Sequence, residues 1–331
     1  SLKQNEHVKF RKNENYWKAG KPHLDGINWT IIKSRSTRVL AFIAGKFDFT
    51  FNVDVTIPLL KDVKSQAPHT VCELVTTNVS FNLIVNQFKP PFDNAKIRKA
   101  MVLTMDRKAF IDILGHGQFL QGGAMMPPPS GVWGMPKEFL KTTAGYDPDV
   151  KGNRAKAREI MKSLGYGPDK PLKVKVSTRN IAAYRDPAVI LIDHLKEIYI
   201  DATLDTIETS NWHAKVARKD YMVGLNATGI GVDDPDANFY ENYSCGSQRN
   251  YTGYCKPEME KLFKQQSMME DQAARKKLVW EIDKTLQEDA ARPIIYHSKA
   301  AQCWQPYVKG FVTHVNSLYN NWRMEDVWMD K

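Results

Sequence analysis

The stretch of this chain that decides its fold is Phe92-Asp-Asn-Ala-Lys-Ile-Arg-Lys-Ala-Met-Val-Leu-Thr-Met-Asp-Arg-Lys-Ala-Phe-Ile111. Asp93 or Asn94 is a suitable N-cap, because either side chain can accept a hydrogen bond from a free N–H of the first helical turn. Apolar residues then recur at helical spacing, at Ile97, Ala100, Met101, Met105 and Ile111. The pattern predicts one packed helix over 94–114 that stops at Gly115.

Composition indicates a globular protein. The chain has 331 residues, of which 42% are hydrophobic and 25% charged, and this length favours more than one domain. No run approaches the roughly 20 apolar residues that a membrane-spanning helix needs. The net charge is +10, and the basic residues are concentrated in segment 1–46. A solvated basic surface is the favoured interpretation; a nucleic-acid-binding face is the alternative.

Strands and helices alternate along the chain, and this order predicts an α/β fold. The predicted strands are 27–32, 47–51, 70–77, 79–85, 172–177, 201–208, 221–227 and 293–297. The predicted helices, besides 94–114, are 36–44, 153–164, 188–198, 256–266 and 273–289, with Asp186 and Pro187 as the N-cap and first residue of the helix at 188. Segment 122–135, rich in Pro and Gly, is expected to be a long irregular loop.

Motifs for catalysis are missing from the sequence. It contains neither an H-E-x-x-H metal motif nor a G-x-S-x-G nucleophile motif. The carboxylates of Asp233, Asp234 and Asp236 could act as acid and base, and a hydrolase is therefore one alternative hypothesis. A turn whose Asp side chains cap backbone amides explains them more simply. We expect no enzyme activity, no cofactor and no metal site.

Several segments resemble one known family in the order in which that family has them. The helix at 92–111 resembles the helix that opens the second lobe of the family 5 extracellular solute-binding proteins, the oligopeptide, dipeptide and nickel receptors of bacterial ABC importers. The other matching segments are Asn13-Glu-Asn-Tyr-Trp17, Lys21-Pro-His-Leu-Asp25, Ser36-Thr-Arg38, Ala44-Gly-Lys-Phe-Asp48, Tyr146-Asp-Pro-Asp149, Leu164-Gly-Tyr166, Asp234-Pro-Asp236 and Pro293-Ile-Ile-Tyr-His297.

The resemblance implies a periplasmic binding protein-like type II fold with a complete lobe II and a partial lobe I. Residues 1–81 would belong to lobe I, 82–298 to lobe II, and 299–331 would return to lobe I. The implied function is that of a periplasmic receptor that binds a peptide-like or other small polar solute by two-lobe closure and delivers it to the transmembrane permease subunits of an ABC importer. We expect a monomer when full length and no nucleic-acid partner. The signal sequence and the front of lobe I are expected to be absent from this chain.

Candidate ligand contacts come from three segments. Arg179, Asn180, Tyr184 and Arg185 lie between a strand end and a helix, where arginine can grip an anion with two hydrogen bonds. Thr228, Ile230 and Asp233 follow another strand, and the resemblance places Ile230 where peptide receptors carry the Asp that binds the peptide's α-ammonium group. Trp133 and Tyr251 are candidate pocket walls, although Trp133 fits a core position equally well.

Four cysteines occur, at positions 72, 245, 255 and 303. Cys245 and Cys255 flank a loop of Gly, Ser and Asn, and a local disulfide there suits an oxidising compartment; two free buried thiols are the alternative. Similar receptors carry a cysteine pair in the same place. Cys72 and Cys303 lie beside the two predicted lobe crossings, so a second bond between them is a further hypothesis.

Overall fold

The computed structural model describes residues 1–52, 54–315 and 321–331. It divides into two compact units. Unit 1 contains Ser1–Thr77 and Lys299–Lys331, and unit 2 contains Asn78–Ser298. The sequence-based boundaries for the second unit were 82 and 298, and the predicted return segment 299–331 includes residues 316–320, which lie outside the described part.

The elements are numbered in chain order. The strands are β1 (Leu2–Lys3), β2 (His7–Arg11), β3 (Gly26–Thr30), β4 (Val71–Val85), β5 (Leu172–Arg179), β6 (Ile200–Ile207), β7 (Val223–Gly229), β8 (Ile294–Trp304), β9 (Val308–Lys309) and β10 (Trp328–Met329). The helices are α1 (Arg35–Ile43), α2 (Ile57–Gln66), α3 (Ala95–Thr104), α4 (Arg107–Gly115), α5 (Lys137–Leu140), α6 (Val150–Ser163), α7 (Ala182–Lys196), α8 (Thr209–Ala217), α9 (Pro235–Asn242), α10 (Pro257–Ser267) and α11 (Gln272–Glu288), with a 3-10 turn at Asn321–Asp326.

Unit 1 contains an antiparallel sheet in the order β1-β2-β3 and a small antiparallel pair of β9 and β10. One apolar cluster lies under α1 and α2, where Val39, Phe42 and Val63 are buried. Thr56 starts α2 by accepting a hydrogen bond from the Leu59 N–H, and a proline follows in the first turn.

Unit 2 is built on a five-stranded sheet in the order β6-β5-β7-β4-β8. β6, β5 and β7 run parallel, and β4 is antiparallel to β7. Central strands that are covered on both faces are expected to be apolar throughout, and the residues of β4 within unit 2 are almost all buried. The predicted α/β class is confirmed.

The main core of unit 2 lies between this sheet and helices α3, α4, α6 and α7. Tyr296 is the central aromatic, because its ring stacks on Phe81 and on Phe119 with 4.9 Å between ring centroids in each case. The helix-spaced residues Ile97, Ala100 and Met101 are buried here, as the sequence pattern predicted.

The deciding helix is divided in the structure. The prediction of one helix over 94–114 was wrong, because α3 ends at Thr104 and α4 begins at Arg107. Asp106 accepts a hydrogen bond of 3.0 Å from the Ala109 N–H and thereby starts a second helix. Asn94 caps the first helix. The residue that ends α4 in the left-handed conformation is His116, one position after the predicted stop.

Other boundaries also differ from the prediction. The strands predicted at 70–77 and 79–85 form the single strand β4. Segment 47–51 is not a strand and contributes only an isolated bridge between Phe49 and Trp304. Helix α7 starts at Ala182, so Pro187 lies within it and Asp186 is not its cap.

All four cysteines are paired. Cys245 and Cys255 form the predicted local disulfide, ten positions apart in sequence. Cys72 on β4 and Cys303 on β8 form the second bond, with 231 positions between them. Each bond lies within one unit, the first in unit 2 and the second in unit 1.

Candidate functional site

The candidate site lies at one edge of the sheet of unit 2. Three parallel strands end there, β5 at Arg179, β6 at Ile207 and β7 at Gly229. The antiparallel strand β4 enters unit 2 at the same edge, since Val79 pairs with Gly229. We call this the carboxyl edge. In open α/β sheets, ligands bind outside the carboxyl ends of the strands, where loops and helix starts supply polar groups.

Arg179 is the best-placed cation at the carboxyl edge. Its Nη1 donates a hydrogen bond of 2.8 Å to the hydroxyl of Tyr184, and its guanidinium carbon lies 4.6 Å from the centre of that ring. Its Nε donates a longer bond of 3.4 Å to Thr209, the first residue of α8. In the part of the chain that the structure describes, no carboxylate pairs with Arg179 and no residue accepts from its Nη2. The guanidinium is therefore fixed by neutral groups and keeps N–H donors for an anion.

Asn180 and Arg185 flank this pair. Asn180 donates a hydrogen bond of 3.1 Å to the carboxylate of Glu208, and Arg185 is exposed on the first turns of α7. His213 on α8 is exposed, and partial desolvation together with the charges of Arg179 and Arg249 lowers the pKa of its imidazole. Arg179 and Arg249 are thus close enough to this imidazole to disfavour its protonated form.

Thr228 belongs to a polar strip that crosses from β7 to β4. Its Oγ1 accepts a hydrogen bond of 2.9 Å from Asn82 and one of 3.5 Å from Asn226. Asn82 and Asn226 are directly opposite each other in the strand register. The carboxamide oxygen of Asn226 accepts from the indole N–H of Trp212 on α8. Buried amides are costly unless they are paired, so this strip fixes the end of β7 against α8.

Asp233 lies in the loop after β7 and contacts the irregular segment 122–135. Its Oδ2 accepts a hydrogen bond of 2.7 Å from the Val132 N–H. Its Oδ1 is buried and has no partner among the described residues. Burial raises the pKa of this carboxyl group, and the Val132 bond opposes that shift. A cationic group of a ligand would lower the cost of keeping this carboxylate charged.

Three sequence-predicted contacts lie in packed cores. Ile230 and Trp133 are 5% and 8% exposed and belong to one apolar cluster with Phe239 and Phe263. Tyr251 is 9% exposed and packs in a different cluster around Trp212. The structure therefore brings Arg179 together with Tyr184 and places Thr228 in the polar strip at the same edge of the sheet. The side chains of Ile230, Trp133 and Tyr251 are packed in apolar clusters.

Four contributors to the edge were missed by the sequence reasoning. Glu208 and Thr209 lie where β6 ends, and Asn82 and Asn226 lie inside strands. A signal for the strip was present in the sequence, because Asn78, Ser80 and Asn82 recur at every second residue of segment 78–85, whose other residues are apolar.

Residues 1–52, 54–315 and 321–331 contain no group of three or more His, Cys, Asp or Glu side chains that could hold a metal ion. None of the helices in those ranges is long and apolar enough to cross a membrane.

Comparison with known proteins gives a family and a fold. Residues 1–250 match the family model described as "Bacterial extracellular solute-binding proteins, family 5 Middle". The chain is 23% identical over 319 residues to the periplasmic oligopeptide-binding protein OppA of Haemophilus influenzae, covering 93% of this chain and 56% of that protein. It is 24% identical over 313 residues to the probable deoxycholate-binding periplasmic protein YgiS of Escherichia coli K12, covering 94% and 56%.

A solved structure has the same fold. The crystal structure of Haemophilus influenzae OppA in complex with the peptide RPPGFSPFR superposes with a TM-score of 0.85 at 20% identity, over 99% of this chain and 63% of that one. The chain spans about half the length of the curated relatives that it matches.

Proposed function

The chain belongs to the family 5 bacterial extracellular solute-binding proteins, and from this premise we propose that it is part of a periplasmic receptor that binds a small polar or peptide-like solute and delivers it to the permease of an ABC importer. Binding is coupled to closure of two lobes, because a ligand shifts a conformational equilibrium by its differential affinity for the closed state. The observation that carries the proposal is the family match over residues 1–250.

The carboxyl edge supports a binding role. A solute site needs a few fixed polar groups that orient the ligand, set on rigid elements. Arg179 is fixed by Tyr184 and retains free donors, and Asp233 has a buried oxygen without a partner among the described residues. We assign Arg179 to an anionic group of the solute and Asp233 to a cationic or N–H group. Tyr184, Asn180, Arg185 and Thr228 complete the proposed contacts.

The charged groups at the carboxyl edge indicate the class of ligand. Relatives are named for oligopeptide and deoxycholate binding, so membership of the family does not fix one ligand. Ile230, at the position where the resemblance predicts the ammonium-binding Asp, is buried among apolar side chains. We therefore infer a solute that carries a carboxylate or a similar anionic group. If the solute also has a positive group, Asp233 binds it in place of residue 230.

Two of the carboxylates that suggested a hydrolase, those of Asp234 and Asp236, form contacts within the protein. Asp234 caps α9 through a hydrogen bond of 2.8 Å from the Asp236 N–H, and it lies 3.4 Å from Arg275. Asp236 accepts a hydrogen bond of 2.6 Å from Ser267. These contacts favour a structural role for both groups, and we propose a receptor without enzyme activity.

The test is native mass spectrometry of the whole protein purified from its own host, followed by calorimetry with the identified solute. We expect a co-purified anionic small molecule that rebinds saturably after removal. Turnover of the bound molecule, or salt-sensitive binding of random DNA that outcompetes the solute, would overturn the proposal.

A further inference from the structure

A cavity of about 270 Å³ lies in unit 2 away from the carboxyl edge. It is lined by Gln87, Ala95, Lys96, Arg98, Lys99, Tyr254, Cys255, Lys256, Glu288 and Asp289. Gln87 follows the end of β4, where Val85 pairs with Val223 at the start of β7. Since β7 has seven residues and a strand rises about 3.3 Å per residue, the cavity is about 20 Å from the carboxyl edge. We call it the anion cavity.

Arg98 is the central group of the anion cavity. It is only 8% exposed although it is on the first turn of α3. Its Nη1 donates to the backbone carbonyls of Phe92 and Asp93, at 2.7 Å and 3.0 Å. Its Nε is buried without a partner among the described residues, and none of them accepts from Nη2. The Nε and Nη2 donors form one edge of the planar guanidinium, the edge that binds two oxygens of a phosphate or carboxylate together.

The charges around Arg98 are unbalanced. Asp289 is already used, because it accepts from the Tyr254 hydroxyl at 2.7 Å and pairs with Lys256 at 2.7 Å. Lys96 and Lys99 are exposed on α3 and have no ion-pair partner in the described part of the chain. Glu288 is the one further carboxylate in the lining. The four cations of the lining therefore exceed its two carboxylates by two positive charges. Asp93, outside the lining, also acts on Arg98 and lowers the local excess to one. The remaining positive charge favours an anion such as a phosphate group.

We propose that the anion cavity is a second ligand site that binds a compact phosphate group, held by the free edge of Arg98 and by Lys96 and Lys99. A phosphate ion leaves part of the volume empty, so the cavity also has room for a small organic substituent on the phosphate. Because the site is at the opposite edge of the sheet from Arg179 and Asp233, phosphate and the transported solute can bind at the same time.

The test is calorimetry at low ionic strength with two probes, inorganic phosphate and glycerol 3-phosphate. Saturable binding of either probe is expected, and competition between them shows whether free phosphate or a phosphate ester is the better ligand. The double variant Lys96→Gln/Lys99→Gln should weaken binding roughly tenfold, because it removes two charge-assisted contacts. The charge-matched double variant Lys173→Gln/Lys196→Gln changes exposed lysines outside the cavity and should leave the affinity within about twofold.

Two further variants decide where the probe binds. Arg98→Lys keeps the charge but loses the two-donor edge, and should also weaken binding; circular dichroism shows whether the variant is folded. Arg179→Ala removes the cation of the carboxyl edge and should leave phosphate binding unchanged. Absence of saturable binding, or binding that is lost with Arg179→Ala and kept in the Lys96→Gln/Lys99→Gln variant, would overturn the proposal.

Discussion

The guanidinium of Arg179 donates a 2.8 Å hydrogen bond to the hydroxyl of Tyr184, five residues later in the chain. The contact joins the last residue of β5 to the first turn of α7. Tyr184 in turn packs against Phe81 on β4, with 5.6 Å between the ring centroids. The orientation of the arginine is thus fixed by the core of unit 2 and does not depend on a mobile loop.

Replacement of this arginine tests the proposed solute contact. In the whole protein, Arg179→Ala should weaken solute binding by about 1.5–3 kcal/mol, the range for a charge-assisted hydrogen bond. Tyr184→Phe, which removes only the hydroxyl that orients the arginine, should have a smaller effect in the same direction. Calorimetry with the identified solute measures both. If Arg179→Ala binds as tightly as the parent protein, Arg179 is not a ligand contact.

The two disulfides should stabilise their units to different extents. In the chain-entropy model, closing a loop restricts the unfolded chain, and the effect grows with the logarithm of loop length. The separation of ten positions between Cys245 and Cys255 gives about 2–3 kcal/mol, and that of 231 between Cys72 and Cys303 gives about 5 kcal/mol. Denaturant unfolding of the two double Cys→Ser variants should therefore show the larger loss for Cys72→Ser/Cys303→Ser.

Thiol labelling provides the control for this comparison. The parent chain, denatured without reductant, should take up no thiol reagent, because all four cysteines are paired. Labelling at Cys245 and Cys255 together would show that the local bond does not form, and the stability comparison would then lose its basis.

What the sequence could predict depended on how local the determining contacts are. Helices α1, α10 and α11 were predicted within about two residues, because their apolar stripes and caps are local signals. Arg179 and Tyr184 were both chosen as candidate contacts from one short segment, but the hydrogen bond between them was not predicted. Asn82 was missed, because its partner Thr228 is 146 positions away and no local pattern reports such a contact.

Two errors concern element boundaries. Pro187 follows an Asp, a typical helix start, but the turn before it is already helical in α7. The even spacing of apolar residues across Met105 suggested one helix, yet Asp106 begins a new one. The Asp106 cap is itself a local signal, which the continuous apolar spacing concealed. The burial of Trp133 and Ile230, by contrast, could be read only from the folded structure.

Acid should destabilise unit 2 through His297. The imidazole is buried on β8, its Nε2 lies 2.9 Å from the Gly123 carbonyl oxygen, and burial lowers its pKa from 6.5 to about 4. The folded state therefore resists a proton that the unfolded state takes up. This stability is fully present above pH 6.5 and is lost as the pH falls towards 4, and the whole shift corresponds to about 3 kcal/mol.

The variant His297→Gln isolates this effect, because glutamine can keep the donor to Gly123 but does not titrate. The parent protein should lose more unfolding free energy than the variant between pH 7 and pH 4. His194, whose pKa burial also lowers to about 4, remains in both proteins and gives the common background. Identical pH profiles for the two proteins would contradict the assignment to His297.

The last prediction concerns the buried carboxylate that holds the irregular segment 122–135. Asp283 on α11 is fully buried and accepts hydrogen bonds from the backbone N–H groups of Ala124 and Met125, at 2.7 Å and 3.2 Å. Asp283→Ala leaves both donors without this acceptor, and each unpaired buried group costs about 1–3 kcal/mol. Unit 2 should therefore lose about 2–6 kcal/mol in denaturant unfolding.

The matched control is Glu281→Ala, an exposed carboxylate on the same helix, which should change the unfolding free energy by less than about 0.5 kcal/mol.

The pH dependence gives a second check. Burial raises the pKa of Asp283 from 3.8 to about 6, so the folded state binds this proton more readily than the unfolded state does. Its contribution therefore falls as the pH rises from 4 to 6, opposite in sign to that of His297. The penalty of Asp283→Ala should accordingly be larger at pH 4.5 than at pH 7, and a penalty that grows with pH would show that this carboxylate is charged throughout the range.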